Sequence, residues 1–223
     1  MKVDFHIHTN FSYDGFSSPQ EIVSSAISKG IDCICITDHQ ETKGAIEALR
    51  FAFSKPILVI PGIEIKSREG DILGINVREI IPNGLSAEET IRKISNLGGM
   101  AVIAHPFAWL HRFKGSLKKI IEENSDSFVA VEVFNASVSV FSNKKALRMA
   151  QEINLPFVAG SDAHEKEFVG RAFMEIAGKN LSVEEILEEV KKKRGEIKKE
   201  RVSFFEKINW KGKKYSRIFK KQN

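Results

Sequence analysis

Cysteine is scarce: the 223 residues hold two, and they stand two apart in Cys33-Ile34-Cys35-Ile36. On a strand that spacing puts both thiols on one face, a poor geometry for a disulfide, and with no second pair a thiolate zinc site is excluded. Both read as small buried hydrophobes. Long apolar runs are missing too. None approaches the roughly 18 residues that would suggest a membrane span, and the first residues are strand-like instead of carrying a signal-peptide pattern. The expected address is therefore the cytoplasm, with no membrane partner. Internal repeats, low-complexity stretches and internal linkers are also lacking, which at this length leaves one substantial core.

Acidic residues are depleted in one region only. Residues 191–223 hold 14 Lys or Arg against 3 Glu, a net of +11, so the overall +5 leaves the first 190 residues at −6. The tail interleaves its cations with Phe204, Phe205, Trp210, Tyr215 and Phe219. That mixture suits contact with a nucleic-acid backbone and its bases. It also suits a solvated helix face whose aromatics dock on the rest of the protein.

Histidine is used in one particular way. Five of six (His6, His8, His39, His105, His164) stand at or just beyond the end of an apolar, strand-like run, and only His111 does not. Val3, Phe5 and Ile7 alternate with Asp4, His6 and His8, a period of two that reads as a strand with both imidazoles on one side. Two such rings can hold a metal ion if carboxylates arrive from elsewhere.

Along the chain, strands and helices alternate. Ser18-Pro19-Gln20-Glu21, Ser86-Ala87-Glu88-Glu89 and Ser182-Val183-Glu184-Glu185 are capping boxes that open helices; further helices are expected at 42–53, 116–123 and 143–153. Apolar runs at 31–36, 57–64, 72–77, 101–104, 129–134 and 157–159 read as strands. The alternation predicts parallel strands covered by helices, closed as a barrel rather than an open sheet. In such barrels chemistry gathers at the C-terminal strand ends, where the five histidines, Asp38, Glu64 and Asp162 fall.

His6-Ile7-His8, Asp14 in Ser12-Tyr13-Asp14-Gly15, Thr37-Asp38-His39, Pro61-Gly62-Ile63-Glu64, Ala104-His105-Pro106, Glu132-Val133-Phe134-Asn135 and Gly160-Ser161-Asp162-Ala163-His164 together resemble the motifs of the PHP superfamily, the polymerase and histidinol phosphatase domains. The resemblance covers residues 1 to about 180. It implies a distorted (βα)7 TIM-like barrel over 1–180, followed by a C-terminal helix and basic aromatic tail over 181–223. It further implies two or three divalent metal ions (Zn, Mn or Fe) and hydrolysis of phosphate esters by hydroxide generated at the metals. His6, His8, Glu64 and Asp162 would bind one metal; Glu64 would bridge to a second, also held by His105; Asp14, His39 and His164 would bind the third. Glu64, Asp162, His39 and Arg171 are the expected catalytic groups.

One position departs from the family. Where many members have a histidine between the bridging glutamate and the next ligand, this chain has Asp71, either an oxygen ligand or the mark of a weaker second site. Arg171, after Gly170, is placed to hold phosphate bidentately or to make an ordinary salt bridge. The loop 107–114 mixes aromatics with Arg112 and Lys114, as a lid over an anionic substrate would, or as a loop with its aromatics packed down would. Asn135 either touches metal or substrate or simply ends a strand. Asp4 and Asp38 read as groups that orient an imidazole or cap a turn. The expected substrate is a phosphorylated small molecule, nucleotide or oligonucleotide. The rivals are an amide or lactone hydrolase on the same metals, and a nucleic-acid-binding module on a retired barrel.

Overall fold

The computed structural model describes residues 1–108, 113, 119–120, 124 and 127–199. Most of the expected helix at 116–123, most of the loop after His105 including Arg112 and Lys114, and the aromatic part of the tail lie outside these.

The strands are β1 (Lys2–Ile7), β2 (Cys33–Ile36), β3 (Leu58–Lys66), β4 (Asp71–Ile75), β5 (Met100–Ile103), β6 (Val129–Asn135), β7 (Phe157–Gly160), β8 (Ala172–Glu175) and β9 (Glu196–Lys199). The helices are α1 (Pro19–Ser28), α2 (Lys43–Ala52), α3 (Ala87–Asn96), α4 (Val140–Glu152) and α5 (Val183–Lys191). All three expected capping boxes form: Ser18, Ser86 and Ser182 each accept from the backbone N–H three residues on, while Glu21, Glu89 and Glu185 reach back. Among the described residues no helix is long and apolar enough to cross a membrane.

The strand order is β7-β6-β5-β4-β3-β2-β1-β8-β9. The end of β7 returns to β1, where Ile7 bridges Ala163 in parallel, the Asp162 N–H donates to the His6 carbonyl and the His8 N–H to the Ala163 carbonyl, both at 2.8 Å. The first seven strands thus close a distorted TIM-like barrel. Two parts of the expectation are corrected. β4 runs antiparallel to both β3 and β5, because the four residues 67–70 joining β3 to β4 are too few for a parallel crossover. Residues 196–199, in the region expected as a C-terminal helix and tail, are a strand pairing antiparallel with β8, itself antiparallel to β1.

Val3 and Phe5 pack with Cys33, Cys35, Ile60, Leu73, Val102 and Val158 inside the barrel; Ile186 and Val190 of α5 join this cluster. Ile7, Ile34, Ile36 and Val59 pack instead on α1 and α2. Both cysteines are buried and unbridged, and burial pushes their thiols up. Ile7 has therefore left the face of Val3 and Phe5, and the register of β1 on β2 shifts between Asp4 and Ile7. A bulge of this kind re-aims side chains. Here it turns His6 and His8 toward the barrel mouth.

Candidate metal centre

Seven strands and their exits deliver the polar groups. His6 and His8 come from β1 and its exit, Glu64 from β3, Asp71 from the start of β4, Glu132 from β6, and His39, His105, Asp162 and His164 from the segments after β2, β5 and β7. Because β4 runs backwards, its first residue lies at the mouth, where the Asp71 carbonyl accepts from the Ala104 N–H at 3.0 Å. Gly160 makes the approach of β7 possible: a Cβ there would lie 2.4 Å from His6 Cβ and 3.0 Å from Glu132 Oε1.

Glu64 is central. Its Oε2 lies 3.2 Å from His6 Nε2, 3.1 Å from His8 Nε2 and 3.3 Å from His39 Nδ1, while Oε1 lies 3.3 Å from His105 Nε2. Asp162 Oδ1 sits 3.4 Å from His8 Nε2, 3.7 Å from His6 Nε2 and 3.5 Å from His164 Nδ1. Asp14 faces His164 Nε2 at 2.9 Å and His39 Nε2 at 3.6 Å. Ligand-capable atoms converge in the groups His6–His8–Glu64, Glu64–Asp71–His105 and His8–Asp14–His39–His164, and a further group joins His6, His105 and Glu132.

The outer contacts say which nitrogen keeps the proton, and which faces inward bare, when each ring is neutral. Glu132 Oε1 takes His6 Nδ1 at 3.0 Å, so the carboxylate fixes the proton there and leaves Nε2 with its lone pair toward the centre. The Ser12 hydroxyl donates its single proton to Asp38 Oδ1 and must therefore accept from His8 Nδ1 at 3.0 Å, so His8 also presents a bare Nε2. Asp38 is anchored by the Thr9 N–H and hydroxyl. Two lone pairs 3.0 Å apart, aimed at one carboxylate oxygen, form a donor set that fits a divalent cation.

Electrostatics follow from the crowding. Burial alone would raise Glu64, but His39 and His6 hold it well below the usual carboxylate range. Asp162 is held low by His6 and His8, and Asp14 by His164 and His39, in each case against burial. Burial would lower the histidines, yet Asp162 and Glu64 push His8 up to about 9, and Glu64 does the same to His105.

Of the residues expected from sequence, His6, His8, Asp14, His39, Glu64, Asp71, His105, Asp162 and His164 are brought together. Asn135 ends β6 as a hydrogen-bonded residue: its amide donates to Glu132 and to Asp162 Oδ2 at 3.2 Å, and its oxygen accepts from the Ser137 N–H. Arg171 lies in the turn before β8 with its guanidinium 4.2 Å from the Phe168 ring centre. Asp4 caps the Ser161 and Gly170 N–H groups. Two participants were not singled out. Glu132 stood in a recognised motif, yet nothing local shows that its carboxylate meets a ring 126 positions away. Tyr13, 60 % exposed, stacks on His39 with ring centres 4.9 Å apart.

Residues 141–194 match the family described as PHP-associated. An uncharacterized protein of Methanocaldococcus jannaschii is 38 % identical over 146 residues, 61 % of this chain and 82 % of that protein. The chain belongs to the PHP superfamily. A probable phosphatase of Caldicellulosiruptor bescii is 26 % identical over 201 residues, covering 77 % of this chain and 83 % of that protein. In fold, the PHP barrel superimposes on a two-domain protein from Bacteroides vulgatus containing a predicted PHP-like metal-dependent phosphoesterase. The TM-score is 0.75 at 21 % identity, over 89 % of this chain and 64 % of the other, so the chain spans just under two thirds of that protein.

Proposed function

We propose that this PHP protein hydrolyses phosphate esters, whether of a small molecule, a nucleotide or an oligonucleotide, at a centre of two or three divalent ions drawn from Zn, Mn and Fe. The observation that carries the reading is Glu64, whose two oxygens face separate sets of imidazoles, His6, His8 and His39 on one side and His105 on the other. A single carboxylate so placed suits a bridge between two cations. The family relationship and the phosphatase relative supply the reaction class.

Bound divalent ions would supply Lewis acidity toward the phosphoryl oxygens and would acidify water toward neutral pH. His6, His8, Glu64 and Asp162 would hold one ion; Glu64, His105 and Asp71 a second; Asp14, His39 and His164 a third. The chain's own contribution is order. Glu132 and Ser12 fix the tautomers of His6 and His8, and Asn135 aims Asp162. His39, at 26 % exposure the most open ligand candidate, is on the side where substrate enters, under the ring of Tyr13. Anion positioning by Arg171, with Arg112 or Lys114, belongs to the same proposal; for Arg171 it requires the guanidinium to leave the Phe168 ring. So does nucleic-acid contact through the basic tail.

The test is a panel of phosphomonoesters, oligonucleotides, amides and lactones offered to the full chain, stripped and reloaded with each metal, beside a variant with His6→Ala and His8→Ala. Phosphate release that disappears in the variant together with bound metal is the expected result. Turnover of amides or lactones alone would reject the phosphoesterase and keep the metal centre. Metal-loaded protein that turns nothing over but binds DNA or RNA in a salt-dependent way would point to a binding module instead.

A further inference from the structure

Three of the four convergent groups differ in their balance of imidazole and carboxylate. The group around His6 and His8 combines two imidazoles with Glu64, and Asp162 Oδ1 faces both rings. The group around Asp14 sets three imidazoles, those of His8, His39 and His164, against one carboxylate. The Glu64–Asp71–His105 group reverses that balance, with two carboxylates and one imidazole, all three side chains buried. The reversal depends on the backwards strand: only an antiparallel β4 puts its first residue at the mouth, where the Asp71 carboxylate meets Glu64 and His105. Glu64 belongs to this group through Oε1 and to the His6–His8 group beside it through Oε2, so the two positions are neighbours sharing one carboxylate.

Imidazole suits zinc and iron, whereas carboxylate oxygen suits manganese and magnesium, and ligand type selects among metals where raw affinity would favour zinc everywhere. We infer that the Glu64–Asp71–His105 position is a hard-cation site that takes Mn2+ in preference to Zn2+, while the two positions with two or more imidazoles take the softer metal, so that the loaded protein holds two different elements. This rests on the metal-centre reading above and adds to it which ion goes where. The consequence is a division of labour: the position next to His105 would carry a labile, water-rich ion suited to meeting an anionic oxygen, beside a more tightly held neighbour.

The experiment uses the full chain, stripped with chelator and dialysed against equimolar Mn2+ and Zn2+, in wild-type form and as Asp71→His and Asp71→Asn. Crystals measured on both sides of the Mn and Zn absorption edges identify the element at each position, and the EPR signal of bound Mn2+ reports it in solution. Wild type is expected to show Mn at the Asp71 position and Zn at the others. Asp71→His should move the Mn:Zn ratio at that position toward Zn by tenfold or more, and the near-isosteric Asp71→Asn, which keeps the shape of the side chain, should release Mn without supplying an imidazole; neither should change the element at the other positions. Zinc at every position of the wild type, or a ratio unmoved in both variants, overturns the inference while leaving the metal centre standing. Protein that takes up neither metal at any position overturns both.

Discussion

At the scale of single residues, the side chain with the most consequences beyond the ligand candidates is Glu132. Its Oε1 holds the Nδ1 proton of His6, its Oε2 accepts from the backbone N–H of His105 at 2.8 Å, and Asn135 links it to Asp162. His105 has φ +27°, a conformation that non-glycine residues rarely adopt, and the bond to its N–H helps keep it there. Glutamine at position 132 has the same shape but must turn an N–H2 toward either His6 Nδ1–H or the His105 N–H, placing donor against donor. Loss of such an outer partner typically weakens metal binding by about 10–100-fold. Glu132→Gln should therefore lower affinity by that order in competition with a chromophoric chelator, with far-UV circular dichroism unchanged. Affinity within twofold of wild type would make Glu132 a strut only. The sequence exposes ligand candidates because histidines at strand exits are conspicuous. It hides Glu132 because the partner that gives a buried carboxylate its purpose lies on another strand.

At the scale of elements, helices were the legible part and strand direction was not. Ser18, Ser86 and Ser182 each carry their helix start in four consecutive residues, which is why those boundaries can be read locally. β9 is Glu-Ile-Lys-Lys, with no apolar alternation, and exists because β8 offers it an edge. β4 reads plainly as a strand, but its polarity is written in the shortness of residues 67–70, not in its own composition. The bulge in β1 is hidden for a similar reason. The simple alternation from Val3 to His8 puts both histidines on the face away from Phe5, and only pairing with β2 forces the shift that brings them inside. β7 approaches β1 closely because Gly160 leaves room, so adding a methyl group there is a direct test of that packing. Gly160→Ala should force the two strands apart or the His6 ring aside, costing about 1–3 kcal/mol as overpacked sites do. Urea midpoints measure it; a change below about 0.5 kcal/mol, the scatter of ordinary surface substitutions, would mean that the seam yields without strain.

At the scale of the molecule, the candidate centre and the barrel closure are the same place. His6 and His8 lie on one side of the seam, Asp162 and His164 on the other, and the backbone bonds from His8 to Ala163 and from Asp162 to His6 run between them. An ion held by both sides would staple the first strand of the barrel to the seventh. A ligand that binds only the folded state at 100 times its dissociation constant contributes about 2.7 kcal/mol, and for a chain of this size each kcal/mol moves the melting temperature by about 2–4 °C. Loading should thus raise Tm by about 5–11 °C, and the gap has a defined pH dependence. In the metal-free protein His8 and His105 are pushed up to about 9 from an ordinary 6.5 by Asp162 and Glu64, so the fold binds these protons more tightly than the unfolded chain does. Their contribution is fully present below pH 6.5 and is lost as pH rises through 9. Metal needs the neutral rings, so protons compete with it over the same window. Calorimetry should show the stripped protein melting lower from pH 6.5 to 9 while the difference between loaded and stripped protein widens; a gap that stays constant or narrows would mean that the ions do not sit on these histidines.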